Sequence, residues 1–451
     1  MPEIKTILNE LKSATVGYSY PRDLALFVQD RWNNETDAVR KSDLLPDLAT
    51  LEEFFSACYH ASMLREEERP VKFRAILAPP LLFTTGVRPP EGFQRLDFSS
   101  PGRFNANELR RLAVAADPQR TLIGVWSDKT GHGELRIWGL INSGARWLRD
   151  VRGGRRVGAP LPLVPVIHAD APGSIEVHKG YELVGKFHCG KLTGSRVDLF
   201  ASEWLPAEFA QFRERLMERY EGARGSAGAA SGDGWASLEA TLPRRIAERM
   251  IKRVISTLRE ARHGGTVIFL PVEDVEHLPN TASDLDLKYQ IAGGSPQISF
   301  PDLVVAILNR LAEIYGAAYG LAGELIGWRH FEATTDDQLV NLDEALFETA
   351  HLIAGLAAVD GAVILSKHHE ILGFGGMISG RLPAVRNVAR ALDLEGESIA
   401  VEEARNVGAR HRSAYRLVSG IPGTVAIVVS QDGAVRFICN KSGRVTYWEQ
   451  E

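Results

Sequence analysis

One segment of the chain limits its possible folds more than any other. Residues 222–234 have the sequence GARGSAGAASGDG, in which small flexible residues replace periodic apolar ones. A hydrophobic core cannot form from such a run. Because a chain of 451 residues also exceeds what one core usually organises, the sequence predicts two domains, residues 1–221 and 237–451, joined by a flexible linker over residues 222–236.

Composition and cysteine content exclude several protein classes. Hydrophobic residues make up 45% of the chain, charged residues 24%, and the net charge is -5, which is typical of a globular protein without an electrostatic footprint for nucleic acid. Cys58, Cys189 and Cys439 are widely separated, so neither a disulfide framework nor a zinc ribbon is expected. No signal peptide and no run of roughly 20 apolar residues is found. We expect a cytoplasmic protein that contacts neither nucleic acid nor membrane.

Apolar periodicity predicts mixed α and β structure in the N-terminal half. The predicted helices cover residues 21–32, 37–64 and 206–220, and the predicted strands begin at Phe73, Thr121 and Glu134.

The C-terminal half has a similar mixture, which predicts a mixed sheet with helices packed on it. Helices are predicted over residues 238–262, 301–319, 341–358, 383–392 and 408–419, and strands in GGTVIFLP from Gly264, DGAVILS from Asp360, EILGFGG, TVAIVVS, AVRFICN and RVTYWE.

Two short segments in this half have residues suited to chemistry. Asp360, Gly361 and Ala362 stand where a predicted helix gives way to an apolar strand. A carboxylate there can hold a divalent cation or accept a proton, and the two small residues allow a ligand to approach the backbone. The alternative is an ordinary turn, like the hairpin turn predicted at residues 432–434.

The second segment, residues 408–413 (GARHRS), begins a predicted helix. A polyphosphate would fit this helix start, because two arginines and a histidine stand next to free backbone N–H groups and the positive end of the helix dipole. A solvated basic helix start is the alternative. Together the two segments predict a metal–nucleotide site.

Both motifs, in this order and in these elements, resemble the diadenylate cyclase (DAC) family over residues 237–451. The resemblance implies a DAC fold with a mixed central β-sheet flanked by helices, preceded by a separate α+β domain. The whole arrangement is similar to DAC proteins with an N-terminal sensor domain labelled DACNV. That similarity implies regulation by an unknown small-molecule or protein signal.

The resemblance also implies roles for individual residues. Asp360 would hold a divalent metal, Mg²⁺ or Mn²⁺, and promote deprotonation of the ATP 3′-hydroxyl. Ile378 would meet the adenine. The remaining implied residues contact ATP or its phosphates: Gly361, Ala362, Gly408, Ala409, Arg410, His411, Arg412, Ser413 and Ser430.

Three positions depart from the family pattern. Ala409 stands where the family often has threonine, which removes one neutral hydrogen bond of about 1 kcal/mol. Val359 replaces a histidine, and Gln431 replaces an acidic residue that could contribute charge at a metal. We expect weaker binding of phosphate and metal from these changes.

The implied reaction joins two ATP molecules into cyclic di-AMP with release of two pyrophosphates. Each 3′-hydroxyl attacks the other nucleotide's α-phosphorus, so two DAC domains must face each other in a homodimer or higher oligomer. One alternative is an inactive module that binds ATP or a cyclic dinucleotide. An N-terminal hydrolase is a weaker alternative, because residues 1–221 contain no credible set of nucleophile, base and orienting group.

Other signals are interpreted as structural. Residues 180–186 (GYELVGK) fit a P-loop only up to the lysine, and Phe187 has no hydroxyl for magnesium. No metal site is predicted from residues without a recognised ligand spacing, namely His168, His178, His188 and Cys189. Residues 368–370 are expected at a polar turn, and Trp126, Trp138 and Trp147 in the core.

Overall fold

A computed structural model describes residues 18–33, 45–83, 89, 92–127, 133–144, 161–193, 198–228, 235–261, 263–271, 284–292, 299–319, 325–378, 382–431 and 433–450. Side chains are described for all of these except residues 193, 225–228 and 317–319.

The chain divides into two compact units, each a mixture of α and β structure. The N-terminal unit comprises Met1–Val151 and Arg156–Ser195, and the C-terminal unit comprises Arg152–Arg155 and Arg196–Glu451. The predicted fold class, a mixed α+β domain followed by a mixed sheet flanked by helices, is confirmed.

The helices begin at residues that favour helix starts. Asp47, Asn105 and Asp336 each accept a hydrogen bond from a backbone N–H of the first turn, which stabilises three of the helix N-termini. Among the described helices none is long and apolar enough to span a membrane. In chain order they are α1 (Pro21–Asn33), α2 (Leu48–Ser62), α3 (Ala106–Ala113), α4 (Trp204–Ala207), α5 (Ala210–Gly228), α6 (Leu242–Ala261), α7 (Phe300–Tyr319), α8 (Trp328–Ala333), α9 (Asp337–Leu356) and α10 (Ala409–Gly420).

The N-terminal unit contains a sheet that, among the described residues, has the strand order β10-β9-β8-β7-β3-β5-β6-β4. Among the strands that the structure describes here, only β3 and β5 pair in parallel. Helices α1 to α3 cover one face with an apolar core. The opposite face has a smaller apolar cluster that includes Phe83, Trp138 and Val166. The strands are β1 (Arg65–Glu66), β2 (Arg69–Pro70), β3 (Phe73–Leu77), β4 (Gln94–Arg103), β5 (Thr121–Ser127), β6 (Leu135–Asn142), β7 (Pro165–Ala171), β8 (Ser174–Lys179), β9 (Glu182–His188) and β10 (Lys191–Thr193), of which β1 and β2 form a separate hairpin.

The C-terminal unit contains a second sheet, with the described strands in the order β12-β14-β13-β11-β17-β18-β19-β15-β16. Every residue of β11, β13 and β17 is buried, since helices cover the middle of this sheet on both faces. Helices α4 to α9 pack on one face and α10 on the other. The strands are β11 (Gly265–Leu270), β12 (Leu285–Gln290), β13 (Ala362–Ser366), β14 (Ile371–Ile378), β15 (Asn387–Ala391), β16 (Ile399–Glu403), β17 (Val425–Val429), β18 (Val435–Lys441) and β19 (Arg444–Gln450).

The boundary between the units lies before the predicted linker. Residues 196–221, predicted to belong to the N-terminal domain, are part of the C-terminal unit, because Phe209, Phe212 and Leu216 are buried in its core. Residues 222–228 continue helix α5, and Trp235 packs near Tyr220 with 6.1 Å between the ring centroids. Residues 229–234, the rest of the glycine-rich run, lie outside the described residues.

One predicted helix is wrong. Residues 383–392 have helical periodicity, but the structure places strand β15 over Asn387–Ala391. Val388 and Ala389 are buried, and β15 forms backbone hydrogen bonds with both β16 and β19. The packing of two neighbouring strands therefore outweighs the local preference for a helix.

Candidate functional site

The structure brings the start of β13 next to the start of β11. The two strands are parallel, with Val267 opposite Val363. Gly264 and Asp360 precede these two strands and therefore lie at the same end of the sheet. Asp360 is exposed and precedes the buried strand, as the sequence predicts.

The strands on either side of β11 and β13 bring further residues to this end of the sheet. β17 is antiparallel to β11, with Gly265 opposite Val429, so Ser430 lies level with Gly264. β14 is antiparallel to β13, with Ala362 opposite Gly376, so Ile378, the last residue of β14, lies at the same end of the sheet as Asp360. Since adjacent strands are about 4.8 Å apart, the ends of the four strands β14, β13, β11 and β17 span roughly 14 Å. Asp360 thus lies at the same end of four adjacent strands as Ile378 and Ser430, two residues that the family resemblance assigns to the ATP site.

Gly361 is required by the close approach of β14. Its φ is +115°, and a Cβ at this position would lie 2.6 Å from the carbonyl carbon of Gly375. Only glycine fits such a backbone without strain. Gly375 of β14 therefore has a packing role next to Asp360 and Gly361.

Helix α10 supplies the basic part of the site. Arg410 lies in its first turn, and its Nη1 donates a hydrogen bond of 2.8 Å to the carbonyl oxygen of His263. The same Nη1 would be 2.9 Å from a Cβ at Gly264, whose φ is +68°. Because Gly264 has no side chain, the guanidinium of Arg410 can lie against the start of β11. Sequence reasoning did not assign it a role, although a Gly-Gly pair before a buried strand was a signal.

The other residues of the predicted phosphate segment surround the start of α10. Gly408 is the N-cap residue, and the structure records no side-chain hydrogen bond capping this end. Arg412 is exposed and donates a hydrogen bond of 3.0 Å to Val407 O, while His411 is half-buried with its ring 6.5 Å from that of Tyr415. Ala409 is exposed and Ser413 half-buried.

A polar network holds α10 on the sheet. The side chain of Arg436 on β18 donates to the hydroxyl of Tyr415 at 3.2 Å and to Glu449 Oε1 at 2.8 Å. Its guanidinium also lies 4.3 Å above the ring of Tyr447. Burial raises the pKa of Tyr415 despite the opposing effect of Arg436, so this hydroxyl stays protonated as a hydrogen-bonding group. The network fixes the side of α10 that faces away from solvent.

The side chains near Asp360 suit a metal that arrives with a nucleotide. Among the described residues of the C-terminal unit, no three His, Cys, Asp or Glu side chains lie close enough to hold an ion by themselves. Mg²⁺ is commonly bound through one or two carboxylates together with substrate phosphates and water. A single exposed carboxylate, at the same end of the sheet as the basic start of α10, therefore fits a metal–phosphate complex better than a free metal ion.

The segments that the sequence analysis interpreted as structural can now be placed. Residues 180–186 form a turn and the start of strand β9, and strand continues through His188, so no P-loop helix is present there. His369 is buried among aromatic rings of the C-terminal core, with its ring 4.5 Å from that of Phe212. Trp138 is buried as expected, Trp126 packs partly buried, and Trp147 lies outside the described residues.

Comparison with known families gives one match. Residues 40–142 match a family model with the description Probable sensor domain DACNV. The match lies in the N-terminal unit and includes α2, α3 and β1 to β6. No family model for a DAC catalytic domain was detected. No curated protein and no solved structure matched the chain. The N-terminal unit thus contains a region similar to a sensor domain associated with diadenylate cyclases.

Proposed function

We propose that the C-terminal unit is a diadenylate cyclase, which condenses two ATP molecules into cyclic di-AMP and releases two pyrophosphates. The supporting observation is that Ile378, Asp360, Gly264 and Ser430 all lie at one end of four adjacent strands, with Arg410 of α10 against Gly264. The match of residues 40–142 to a sensor domain of the DACNV type supports the same proposal.

In this proposal the basic start of α10 binds the phosphates. Arg410, His411 and Arg412 supply cationic or hydrogen-bonding side chains, and the first backbone N–H groups of the helix add positive potential. Gly361 allows β14 to approach the backbone next to Asp360, Ala362 begins the buried strand β13 at this site, and Ile378 offers an apolar contact to the adenine. Gly408, Ala409, Ser413 and Ser430 complete the surface around the phosphates.

Asp360 is the proposed ligand of Mg²⁺ or Mn²⁺, and it favours loss of the proton from the attacking 3′-hydroxyl. A bound divalent ion would neutralise charge on the phosphates. Each C-terminal unit offers one such nucleotide site, whereas the reaction needs two nucleotides in opposite orientations. Two copies of the C-terminal unit must therefore face each other, and the N-terminal unit would regulate their activity in response to its own signal.

The test is incubation of the purified full-length protein with ATP and Mg²⁺ or Mn²⁺, followed by chromatography and mass spectrometry. We expect cyclic di-AMP from the wild type and a loss of at least about a hundredfold in Asp360→Asn, the size typical of removing an acid–base group. Asp337→Asn is a matched control, since Asp337 is an exposed carboxylate in the first turn of α9. The specific activity should rise with protein concentration if two copies form the site.

ATP binding without product, across metals and protein concentrations, would contradict the cyclase. It would favour a regulatory module that binds ATP or a cyclic dinucleotide, for which Ala409 and Gln431 are the relevant departures. Product formation by Asp360→Asn at the wild-type rate would instead contradict the role proposed for Asp360.

A further inference from the structure

Two histidines and a glutamate meet on one face of the sheet in the N-terminal unit. His168 on β7 and Glu176 on β8 are directly opposite each other in the antiparallel register. His178 follows Glu176 by two residues on the same strand, and alternate residues of a strand share a face. This cluster lies outside the region that matches the sensor-domain model, residues 40–142.

The distances within the cluster resemble those between ligands of one ion. His168 Nδ1 is 3.5 Å and His178 Nε2 is 3.7 Å from the same oxygen, Glu176 Oε2, and the ligand atoms all lie within 4.8 Å of one another. Three ligands at about 2.1 Å from a tetrahedral zinc ion are separated by about 3.4 Å. The arrangement therefore needs little movement to enclose a zinc-sized ion.

Neighbouring groups orient two of these side chains. His178 Nδ1 lies 3.2 Å from the carbonyl oxygen of Tyr181, so that nitrogen is the donor and Nε2 is directed to Glu176. Histidines that bind metals usually donate their other ring N–H to such a carbonyl or carboxylate. Lys186 Nζ donates to the second carboxylate oxygen, Oε1, at 3.1 Å.

Exposure is graded across the cluster, with 4% for the His178 side chain, 23% for Glu176 and 27% for His168. An ion could reach the cluster from the side of His168.

We propose that His168, Glu176 and His178 form a binding site for a divalent transition metal ion of the zinc class. Three protein ligands with one partly open side leave a coordination position for water or for a small anionic or thiol ligand. The N-terminal unit would then sense the metal itself or a molecule that binds to it.

The experiment is titration of the metal-stripped full-length protein with Zn²⁺, measured by calorimetry near neutral pH. We expect one site per chain that His178→Ala and Glu176→Gln each weaken at least about tenfold. His188→Ala is the matched control, since His188 is an exposed histidine at the end of β9. Asp360→Asn should leave this site unchanged, which separates the proposal from the cyclase assigned to the C-terminal unit.

A second measurement does not depend on variants that could disturb the sheet. Diethyl pyrocarbonate modifies accessible histidines, and mass spectrometry of the wild type can map them with and without Zn²⁺. We expect Zn²⁺ to protect His168 and to leave His188 reactive. Absence of Zn²⁺ binding, equal binding in both cluster variants, or equal modification of His168 with and without the ion would overturn the proposal. Such a result would identify the cluster as an ion-pair network around Glu176.

Discussion

At the scale of a single residue, Gly361 determines how closely β14 approaches the start of β13. Its positive φ and the contact with Gly375 leave no space for a side chain. We expect Gly361→Ala to lower the free energy of unfolding of the C-terminal unit by about 1–3 kcal/mol, the range for a strained backbone position. Chemical denaturation checks this value.

Gly355→Ala is the matched control for this substitution. Gly355 lies in helix α9, and a Cβ there would meet no atom within 4 Å. Alanine should therefore be neutral or stabilise the helix by up to about 1 kcal/mol. Equal effects of the two variants would show that the strain at Gly361 is not significant.

At the scale of an element, the turn between β13 and β14 places His369 in the core. Burial, with a smaller effect from His368, lowers the pKa of His369 to about 3. In the unfolded chain a histidine titrates near 6.5, so below that pH the unfolded state binds the additional proton and stability falls. The loss continues until the pH reaches the pKa of the folded state. Between pH 7 and pH 5 it amounts to about 2 kcal/mol.

His369→Asn should remove this pH dependence, because asparagine does not titrate and tolerates the positive φ of 62° at this position. Urea unfolding at pH 7 and pH 5, with the C-terminal transition assigned by hydrogen exchange, measures the difference. His351→Asn on α9 replaces a half-buried histidine and should retain the wild-type dependence. A dependence that persists in His369→Asn would assign it to other groups.

The elements also show what sequence reasoning can and cannot predict. Strands β11 and β13 were predictable because uninterrupted apolar runs between glycines signal buried strands, and α10 was predictable from its basic start and apolar periodicity. Strand β15 was not, because its burial depends on pairing with β19, which is distant in sequence. The contact between His168 and Glu176 could not be predicted either, because it depends on the register in which β7 pairs with β8. The sequence showed His168 and His178 without a recognised ligand spacing, and the alternation of Glu176 and His178 along β8 was a further local signal.

For the candidate site, motif residues on single segments could be predicted, while their spatial relation could not. Asp360 and Arg410 were identified from local sequence. Gly264 and Asp360 lie at the same end of the sheet because β11 and β13, which are 90 or more residues apart in the chain, pair in parallel. Such pairings depend on the packing of the whole sheet.

At the scale of the whole molecule, the C-terminal unit needs the residues before the glycine-rich run. Phe209, Phe212, Leu216 and Tyr220 of this segment are buried in its core. Each contributes about 1.5–3 kcal/mol by burial, and together they are comparable to the total stability of a domain. We expect a fragment of residues 196–451 to unfold cooperatively and one of residues 237–451 to lose cooperative unfolding or aggregate.

Differential scanning calorimetry and analytical ultracentrifugation of the two fragments check this expectation. A fragment of residues 237–451 as stable as that of residues 196–451 would contradict the assignment of helices α4 and α5 to the C-terminal unit. It would instead support the boundary that composition alone predicts.

One contact in this segment offers an optical signal. The indole of Trp204 stacks on that of Trp448, with ring centroids 4.2 Å apart and an angle of 25° between the planes. Two such chromophores at this distance couple their transitions and produce a characteristic pair of bands in circular dichroism. Because Trp204 precedes α5 and Trp448 lies in the last strand, the bands exist only while that segment remains docked. Their amplitude therefore gives a label-free record, in the intact protein, of whether a signal entering through residues 196–228 loosens the segment.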